Sequence, residues 1–313
     1  MTSPSRARIW GALWVVYLVW GSTYLGIEYA IRSMPPLLAM GIRFFAAGVI
    51  MLLALAIRFG PRFLLVTKRQ VLAMALLGAL LLGLGLGMVA MAQYNEVPTG
   101  MVALLIAALP LWIAIFKVID GAKSSPLSWL GIVIGFVGVG ILLQPELSKP
   151  NNGVHIFWML MVMVGNFGWA IGTYIAPRLD LPKSVLIVTG YQMLLGGISM
   201  ASVGLLVGEE LSDFFDATLQ SWLGWTFLVL VGSIATYTAY LWLVQNAPVG
   251  LIATYAYVNP VVAIFLGTVF LDEVLSITLF FGAIVVITGV ALVVWVESRL
   301  SKSATLEPSP PSA

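Results

Sequence analysis

Residues 97–117 read VPTGMVALLIAALPLWIAIFK, and residues 247–267 read APVGLIATYAYVNPVVAIFLG. Each stretch has a proline at its second position and another twelve residues later: Pro98 and Pro110, then Pro248 and Pro260. A proline inside a helix removes a backbone donor and leaves a carbonyl one turn back without its partner. In a membrane such a break persists only where protein or an aqueous cavity covers it. The two stretches therefore predict two broken membrane helices at equivalent places in the fold.

The composition places the rest of the chain in a bilayer. The 313 residues are 61% hydrophobic and 9% charged, whereas a soluble domain is about 25% charged. About 20 apolar residues form a helix that crosses the hydrocarbon core, and the chain contains ten such runs. The runs are residues 9–30, 36–58, 70–93, 98–118, 127–144, 154–176, 184–207, 220–245, 249–270 and 275–297. We therefore expect an all-α polytopic membrane protein with ten transmembrane helices.

The basic residues predict the orientation of these helices. Of the 15 lysines and arginines, twelve fall on one side of a ten-helix arrangement, Arg32 and Lys149 fall on the other, and Arg43 lies within a helix. Lysine and arginine in short loops mark the cytoplasmic side. Both termini are therefore expected in the cytoplasm, and the acidic loop around Glu209 is expected outside.

An internal repeat divides the chain into two units of five helices. Residues 97–143 match residues 247–293 at offsets of 150 to 151, and Trp20 to Tyr24 is echoed by Trp169 to Tyr174. Five is an odd number, so the second unit must enter the membrane from the opposite side. Such inverted repeats are usual in secondary transporters, which bind their substrate near the midplane between the units. The predicted divisions are residues 1–147, residues 151–300 and a disordered cytoplasmic tail at residues 301–313.

These features together resemble the EamA branch of the drug/metabolite transporter superfamily. The resemblance rests on the five-plus-five arrangement, the Trp20-Gly-Ser segment, the prolines before Arg43-Phe and the two double-proline stretches, and it covers about residues 9–297. It implies a permease of the bacterial inner membrane that exports amino acids or other small metabolites. The implied partners are a small-molecule substrate and the lipid bilayer, with no nucleic acid and no cofactor. The solute, the direction of transport and the choice between monomer and homodimer stay open.

Arg43 is the charged residue expected deepest in the membrane, roughly 10–12 Å below the outer end of the second helix. An arginine at that depth should face a cavity or a partner. It is therefore predicted to bind a carboxylate or another anionic group of the substrate. The alternative is a structural ion pair with Glu28 in the first helix.

Polar and aromatic side chains near mid-membrane complete the predicted site. Tyr237 and Tyr240 are three residues apart and share one helix face, and Asn166 has an amide that seeks a partner in hydrocarbon. The predicted substrate-binding residues are Trp20, Thr23, Arg43, Asn166, Trp169, Tyr237, Tyr257 and Asn259. Pro110 and Pro260 are the predicted hinges. The alternatives are helix packing for the aromatic and polar residues and static kinks for the two prolines.

The residue types exclude several classes of chemistry. The chain has no cysteine and a single histidine, His155, so no thiolate or histidine metal site and no cysteine nucleophile is expected. Two further functions stay open as alternatives, an intramembrane lipid-modifying enzyme and a membrane partner protein that does not transport. Glu28 in the first helix is a marginal candidate for proton coupling, so proton antiport through Glu28 and uncoupled export both stay open. The loop carboxylates of Glu96, Asp120, Asp272 and Glu273 are expected to be solvated. Glycines in the fifth and tenth helices, such as Gly131 and Gly282, predict a dimer or scaffold surface.

Overall fold

The computed structural model describes residues 5–121, 125–147, 153–247, 249–252 and 254–306, and these residues form helices without any strand. We number the helices that correspond to the ten predicted runs. They are α1 (Arg6–Ile31), α2 (Pro36–Phe59), α3 (Lys68–Tyr94), α4 (Thr99–Ile119), α5 (Pro126–Leu147), α6 (Gly153–Ile175), α7 (Val185–Leu206), α8 (219–246), α9 (Tyr255–Phe270) and α10 (Ile277–Leu306). In this described part, nine helices are long and apolar enough to cross a membrane, and α9 is a shorter apolar helix. The expected all-α membrane fold with ten helices is confirmed.

Large apolar side chains cover the outside of the helices. Leu53 on α2, Phe265 on α9 and Phe281 on α10 are all more than half exposed in the isolated chain. Such a surface is stable against lipid rather than water, because lipid tails are as apolar as these side chains. The protein is therefore an integral membrane protein.

The inverted repeat is visible in the way the helices pair. Helix α2 packs along α7, and α5 packs along α10, so each helix lies against the one five places further on. The pairing of α1 with α8 is matched by that of α6 with α3, and the pairing of α1 with α9 is matched by that of α6 with α4. This exchange of equivalent helices is what two units of opposite orientation produce.

Glycine seams hold the two long pairs together. A Cβ atom added at Gly48 would lie 2.5 Å from the backbone nitrogen of Leu194, and one added at Gly138 would lie 2.6 Å from that of Val286. Small residues at such contacts allow two helix backbones to approach closely. The glycines of α5 and α10 therefore form a scaffold contact within the chain.

Two helices contain a π-helical segment at equivalent positions. In α3 it is Gly78–Leu86, and in α8 it is Leu228–Ala235, 150 residues later. The extra residue per turn of a π-helix widens the helix and is frequent at functional sites. Hydrophobic periodicity does not indicate these segments, because residues 78–86 are apolar throughout and residues 228–235 contain a single polar side chain, Ser233.

The two double-proline helices are broken at different places. Helix α4 consists of Thr99–Ile106 and Leu109–Ile119, and Pro110 is the second residue of the later segment, as predicted. Pro260, in contrast, lies inside Tyr255–Phe270, and the turn comes earlier, at Thr254, after the short helix Val249–Ile252. The hydroxyl of Thr254 donates to the carbonyl of Leu251 at 2.5 Å, and this local bond favours a turn at that point.

The last helix is longer than the apolar run predicts. Helix α10 continues to Leu306, so residues 301–306 of the tail predicted to be disordered are helical. The remaining tail, residues 307–313, lies outside the described residues.

Candidate functional site

Arg43 lies on α2 and faces the π-helical segment of α8. Its side chain is only 3% exposed, its Nε donates to Ser233 Oγ at 3.1 Å, and its guanidinium carbon lies 4.6 Å from the ring centre of Phe44. A weak contact of 3.6 Å joins a terminal nitrogen to Met40 Sδ. Among the described residues Arg43 forms no ion pair.

The alternative ion pair of Arg43 with Glu28 is therefore absent from the structure. Glu28 instead lines a cavity near the end of α1 together with Arg32. Burying a guanidinium without a counter-charge is costly. The guanidinium of Arg43 is therefore buried without a carboxylate partner among the described residues.

Thr23 and Arg43 converge on Gly232 of α8. A Cβ atom added at Gly232 would lie 3.0 Å from the Thr23 methyl group and 3.5 Å from an Arg43 terminal nitrogen. The Thr23 hydroxyl donates to the carbonyl of Trp20 on its own helix at 2.6 Å. Glycine at position 232 thus leaves the space in which α1, α2 and α8 meet.

An aromatic cluster adjoins Arg43 along α8. The Trp20 ring lies 5.4 Å from that of Tyr237, 5.1 Å from that of Tyr240 and 5.2 Å from that of Tyr255, measured between ring centres. Tyr237 lies one turn after Ser233 and shares its helix face. The guanidinium and the aromatic rings therefore line one continuous surface formed by α1, α2, α8 and α9.

Tyr255 is a member of this cluster that the sequence analysis missed in favour of Tyr257 and Asn259. The side chain of Tyr257 is half-buried, and the structure gives its ring no aromatic partner among the described residues. The amide nitrogen of Asn259, oriented toward its acceptors, lies 3.2 Å from the carbonyl of Tyr17 and 3.3 Å from that of Tyr255. Asn259 thus joins α9 to α1. Tyr255 lies four residues before Asn259 and shares its helix face, and this spacing is the sequence signal that could have indicated Tyr255.

Asn166 and Trp169 lie elsewhere, in the repeat-related region where α6 meets α3 and α4. Asn166 is fully buried, and its Nδ2 donates to the carbonyls of Leu105 at 2.8 Å and Ile106 at 3.4 Å, at the break in α4. Trp169 packs over Gly85 of α3, where an added Cβ would lie 2.9 Å from the ring. The structure thus brings Trp20, Thr23, Arg43 and Tyr237 together but places Asn166 and Trp169 against α3 and α4.

A second link, between Tyr17 and Thr254, is related to the Asn166 contact by the repeat. The hydroxyl groups of Tyr17 and Thr254 are hydrogen-bonded across α1 and the break before α9. Tyr17 precedes Asn166 by 149 residues, and Thr254 corresponds, at the offset of 150 found in these stretches, to Leu104, the neighbour of Leu105. The first helix of each unit therefore binds the broken helix of the other unit at the same place.

Two loop carboxylates are bound to helix N-termini rather than solvated. Glu209 accepts hydrogen bonds from the backbone nitrogens of Leu37 at 3.0 Å and Leu38 at 2.6 Å. Glu273 accepts them from the backbone nitrogens of Thr99 at 2.7 Å and Gly100 at 3.3 Å. The expectation of a solvated Glu273 was wrong, because the first amides of a helix lack partners within it and attract a carboxylate.

The cavity at this end of the protein has a volume of about 400 Å³. Its polar lining residues are Glu28, Arg32, Gln93, Tyr94, Glu96 and Glu273. Gln93 is 3% exposed, and its nitrogen donates to the carbonyl of Tyr24 at 3.0 Å. The cavity therefore combines carboxylates with one arginine at the end of α1.

The opposite end carries exposed ion pairs. Lys117 on α4 contacts Glu297 on α10 at 2.7 Å, and Asp120 forms an ion pair with Arg178 next to the hydroxyl of Tyr174. Asp120 was expected to be solvated, and its side chain is 56% exposed although it has this partner. The hydrogen bond from Tyr174 and the charge of Arg178 hold the pKa of the Asp120 carboxyl below its ordinary value of 3.8.

Fold and site together define a membrane transporter built from two inverted five-helix units, with a buried cation and aromatic rings at their junction. The sequence model of the EamA-like transporter family matches residues 9–144 and 156–295. The chain belongs to this family.

Individual relatives agree with this assignment. The chain is 36% identical over 285 residues, covering 91% of this chain and 90% of the relative, to the "Uncharacterized inner membrane transporter YedA" of Escherichia coli strain K12. It is 27% identical to "Protein PecM" of Dickeya dadantii, over 93% of this chain and 94% of that protein. A solved crystal structure aligns with a TM-score of 0.60 at 17% identity, covering 92% of this chain and 98% of that one, which supports the fold alone.

Proposed function

We propose that the protein is an alternating-access secondary transporter that exports small amphipathic metabolites with an anionic group, amino acids and related compounds, across the bacterial inner membrane. The observation that carries this proposal is the buried guanidinium of Arg43, which has no carboxylate partner among the described residues. A transported carboxylate would supply the missing charge and accept two hydrogen bonds from the guanidinium fork.

The rings beside Arg43 suit the other end of such a solute. Trp20, Tyr237 and Tyr255 offer apolar faces to a side chain, and Thr23 and Tyr240 add hydroxyl groups. Sites of this kind combine an apolar lining with a few polar groups that fix the orientation of the ligand. We therefore assign the anionic group to Arg43 and the apolar group to the aromatic cluster.

Movement of the two units is the second part of the proposal. The units at residues 1–147 and 151–300 would rock against each other, with both termini in the cytoplasm. The break in α4 at Pro110 and the turn before α9, followed by Pro260, supply backbone that can change its angle. Helix breaks of this type are tolerated at membrane depth where they line a cavity.

Transport is favoured over the two alternative functions. The relatives at 36% and 22% identity are both named as transporters, the second being "Uncharacterized transporter YoaV" of Bacillus subtilis. An intramembrane enzyme would need an acid–base pair or a metal-bound water. Within the described residues, no group of three or more histidine, aspartate or glutamate side chains is placed to hold a metal ion.

The test is counterflow of labelled amino acids into proteoliposomes that contain purified protein. We expect the Arg43→Ala variant to lose uptake by about tenfold or more, because hydrogen bonds to charged groups contribute about 1.5–3 kcal/mol. Arg43→Lys should recover only part of it, because an ammonium lacks the bidentate geometry. The exposed Arg62→Ala is the matched control. Unchanged uptake by a correctly inserted Arg43→Ala protein would contradict the assignment of the anion site.

A stability measurement separates binding from a structural role. If the role of Arg43 is to bind the substrate, Arg43→Ala removes a buried charge that has no partner in the protein alone. The melting temperature in detergent should then stay the same or rise. If Arg43 holds the helices together, the same substitution should lower the melting temperature.

A further inference from the structure

The end of the protein that carries Arg32 is closed by a contact between the two broken helices. A Cβ atom added at Gly100 on α4 would lie 2.8 Å from Ile264 on α9, and one added at Gly267 on α9 would lie 2.6 Å from Thr99 Oγ1. Each helix thus presents a glycine to the other at this level, and their backbones come close together. Beyond the break, the second segment of α4 packs against α6 and α10 instead.

Glu273 fastens this contact from the loop that follows α9. One carboxylate oxygen accepts a hydrogen bond from the backbone nitrogen of Thr99, and the other accepts one from Gly100. These are the first amides of α4, which have no carbonyl partner inside the helix, and the positive end of the helix dipole lies there as well. The carboxylate has room because residue 267 is a glycine, where an added Cβ would lie 2.5 Å from the Glu273 Oε2 atom.

Glu209 makes a similar contact in a different setting. It binds the first amides of α2, and Gly204 leaves room for it as Gly267 does for Glu273. Helices α2 and α7 are packed together along their length, as described above. Release of the Glu209 contact therefore leaves α2 and α7 held together by their packing, whereas the Glu273 contact joins α4 and α9 at their ends.

We propose that Glu273 is the gating residue at this end of the transport pathway. Its two hydrogen bonds to α4 hold the units together, and their release opens the crevice to the cavity that Glu273 lines with Glu28, Arg32 and Glu96. This inference rests on the proposed function, in which the transport pathway opens alternately to the two sides of the membrane. It adds the residue whose contact must be broken for the change to occur at this end.

The test measures access to the crevice and requires no substrate. Because the natural chain contains no cysteine, a single Thr23→Cys reporter can be labelled with a membrane-impermeant maleimide. The reagent is added on the side from which an exposed Ser212→Cys is labelled, which makes the result independent of the assumed orientation. The gate variants are Glu273→Ala and Glu273→Gln, each combined with the reporter.

The control variants separate gating from loss of charge and from general loosening. Asp272→Asn removes one negative charge next to Glu273, and asparagine tolerates the positive φ of 55° at this position. Glu209→Ala removes the carboxylate bound to α2. Parent and variants are compared at equal membrane insertion, and labelling of Ser212→Cys serves as the reference rate.

We expect Glu273→Ala to raise the labelling rate of Thr23→Cys by about tenfold, because two hydrogen bonds to a charged group are lost. Glu273→Gln, which keeps one acceptor, should give a smaller increase, and Asp272→Asn should give none. An unchanged rate in Glu273→Ala, or an equal increase in Glu209→Ala, would overturn the proposal. If the parent protein shows no counterflow of any labelled amino acid, that result contradicts the proposed solute. It leaves the proposed gate intact, because the labelling assay requires no substrate.

Discussion

The side-chain amide of Asn166 donates to the backbone carbonyls of Leu105 and Ile106, at the point where α4 is broken. Pro110 has no backbone N–H group, so the carbonyl of Ile106, four residues earlier, loses the partner it would have in a continuous helix. A side chain from α6 thus replaces a hydrogen bond that α4 cannot make for itself. Asn166 and Pro110 are therefore parts of one arrangement, although 56 residues separate them.

This arrangement predicts that the effects of substituting Asn166 and Pro110 are coupled. Asn166→Ala should lower the free energy of unfolding by about 1–3 kcal/mol, because it removes the side-chain donor to the carbonyl of Ile106 and leaves that of Leu105 with only the backbone nitrogen of Ala108 at 3.3 Å. In a Pro110→Ala background, residue 110 can donate to Ile106, and the same substitution should cost about 1 kcal/mol less. A double-mutant cycle of thermal unfolding in detergent measures the difference.

Asn246→Ala provides the control for this cycle. Asn246 donates to the carbonyl of Trp242 within its own helix, so its substitution should cost less than that of Asn166 and should not depend on residue 110. Equal costs of Asn166→Ala in both backgrounds would show that the amide does not substitute for the missing N–H group.

A second prediction concerns the glycine seam of α5 and α10. Gly138 lies against the backbone of Val286, whereas Gly140 has no atom within 4 Å of an added Cβ. Gly138→Ala should destabilise the protein by about 1–3 kcal/mol, since extra atoms in a packed contact force the helices apart. Gly140→Ala should be neutral or stabilising by up to about 1 kcal/mol, because alanine favours the helix.

Melting temperature and light scattering together measure this pair of variants. We expect Gly138→Ala and Gly140→Ala, two residues apart on α5, to differ in melting temperature. The molar mass of each variant should equal that of the parent protein. A change of oligomeric state in Gly138→Ala with unaltered stability would instead indicate a contact between two copies.

A third prediction concerns pH and the exposed pair of Asp120 and Arg178. The pKa of Asp120 lies below its ordinary value of 3.8 in the folded protein, first because of the Tyr174 hydroxyl and then because of Arg178. A lowered carboxyl pKa contributes stability above the unfolded-state value, and this contribution is lost as the pH falls through the folded-state value. Asp120→Asn should therefore lower the melting temperature slightly at neutral pH, and the difference should disappear as the pH falls through the lowered folded-state pKa of Asp120.

The exposed Asp180→Asn on the same side of the protein is the control for Asp120. Its melting temperature should follow that of the parent protein across the same pH range. A difference for Asp120→Asn that grows toward acid pH would contradict the direction of the shift.

Regular features of the chain were open to prediction because they depend on local patterns. The ten apolar runs predict the helices, and the match between Trp20 and Trp169 predicts the repeat. The three-residue spacing of Tyr237 and Tyr240 predicts their shared face, which the structure confirms against Trp20. The depth of Arg43 follows from its distance to the start of α2.

Features that depend on contacts between distant residues could not be predicted in this way. Asn166 and Glu273 bind carbonyls and amides on other helices. An amide in a membrane helix predicts that Asn166 has a partner but not which one, and Glu273 has no sequence signal of its own. The break before α9 comes at Thr254 rather than at Pro260. At Thr254, the hydroxyl of Tyr17 from α1 supplies a hydrogen bond. A proline marks a weak point in a helix, but the neighbouring helices decide where the chain turns.

The π-helical segment of α8 makes the site sensitive to insertion and deletion. Deleting one residue from 228–235 while the winding stays π-helical would turn all later residues by about 80° about the helix axis, since a π-helix turns less per residue than the about 100° of an α-helix. Tyr237 and Tyr240 would then point away from Trp20, although every contributing side chain is still present. The number of residues in this stretch therefore matters to the site as well as the identities of Gly232 and Ser233.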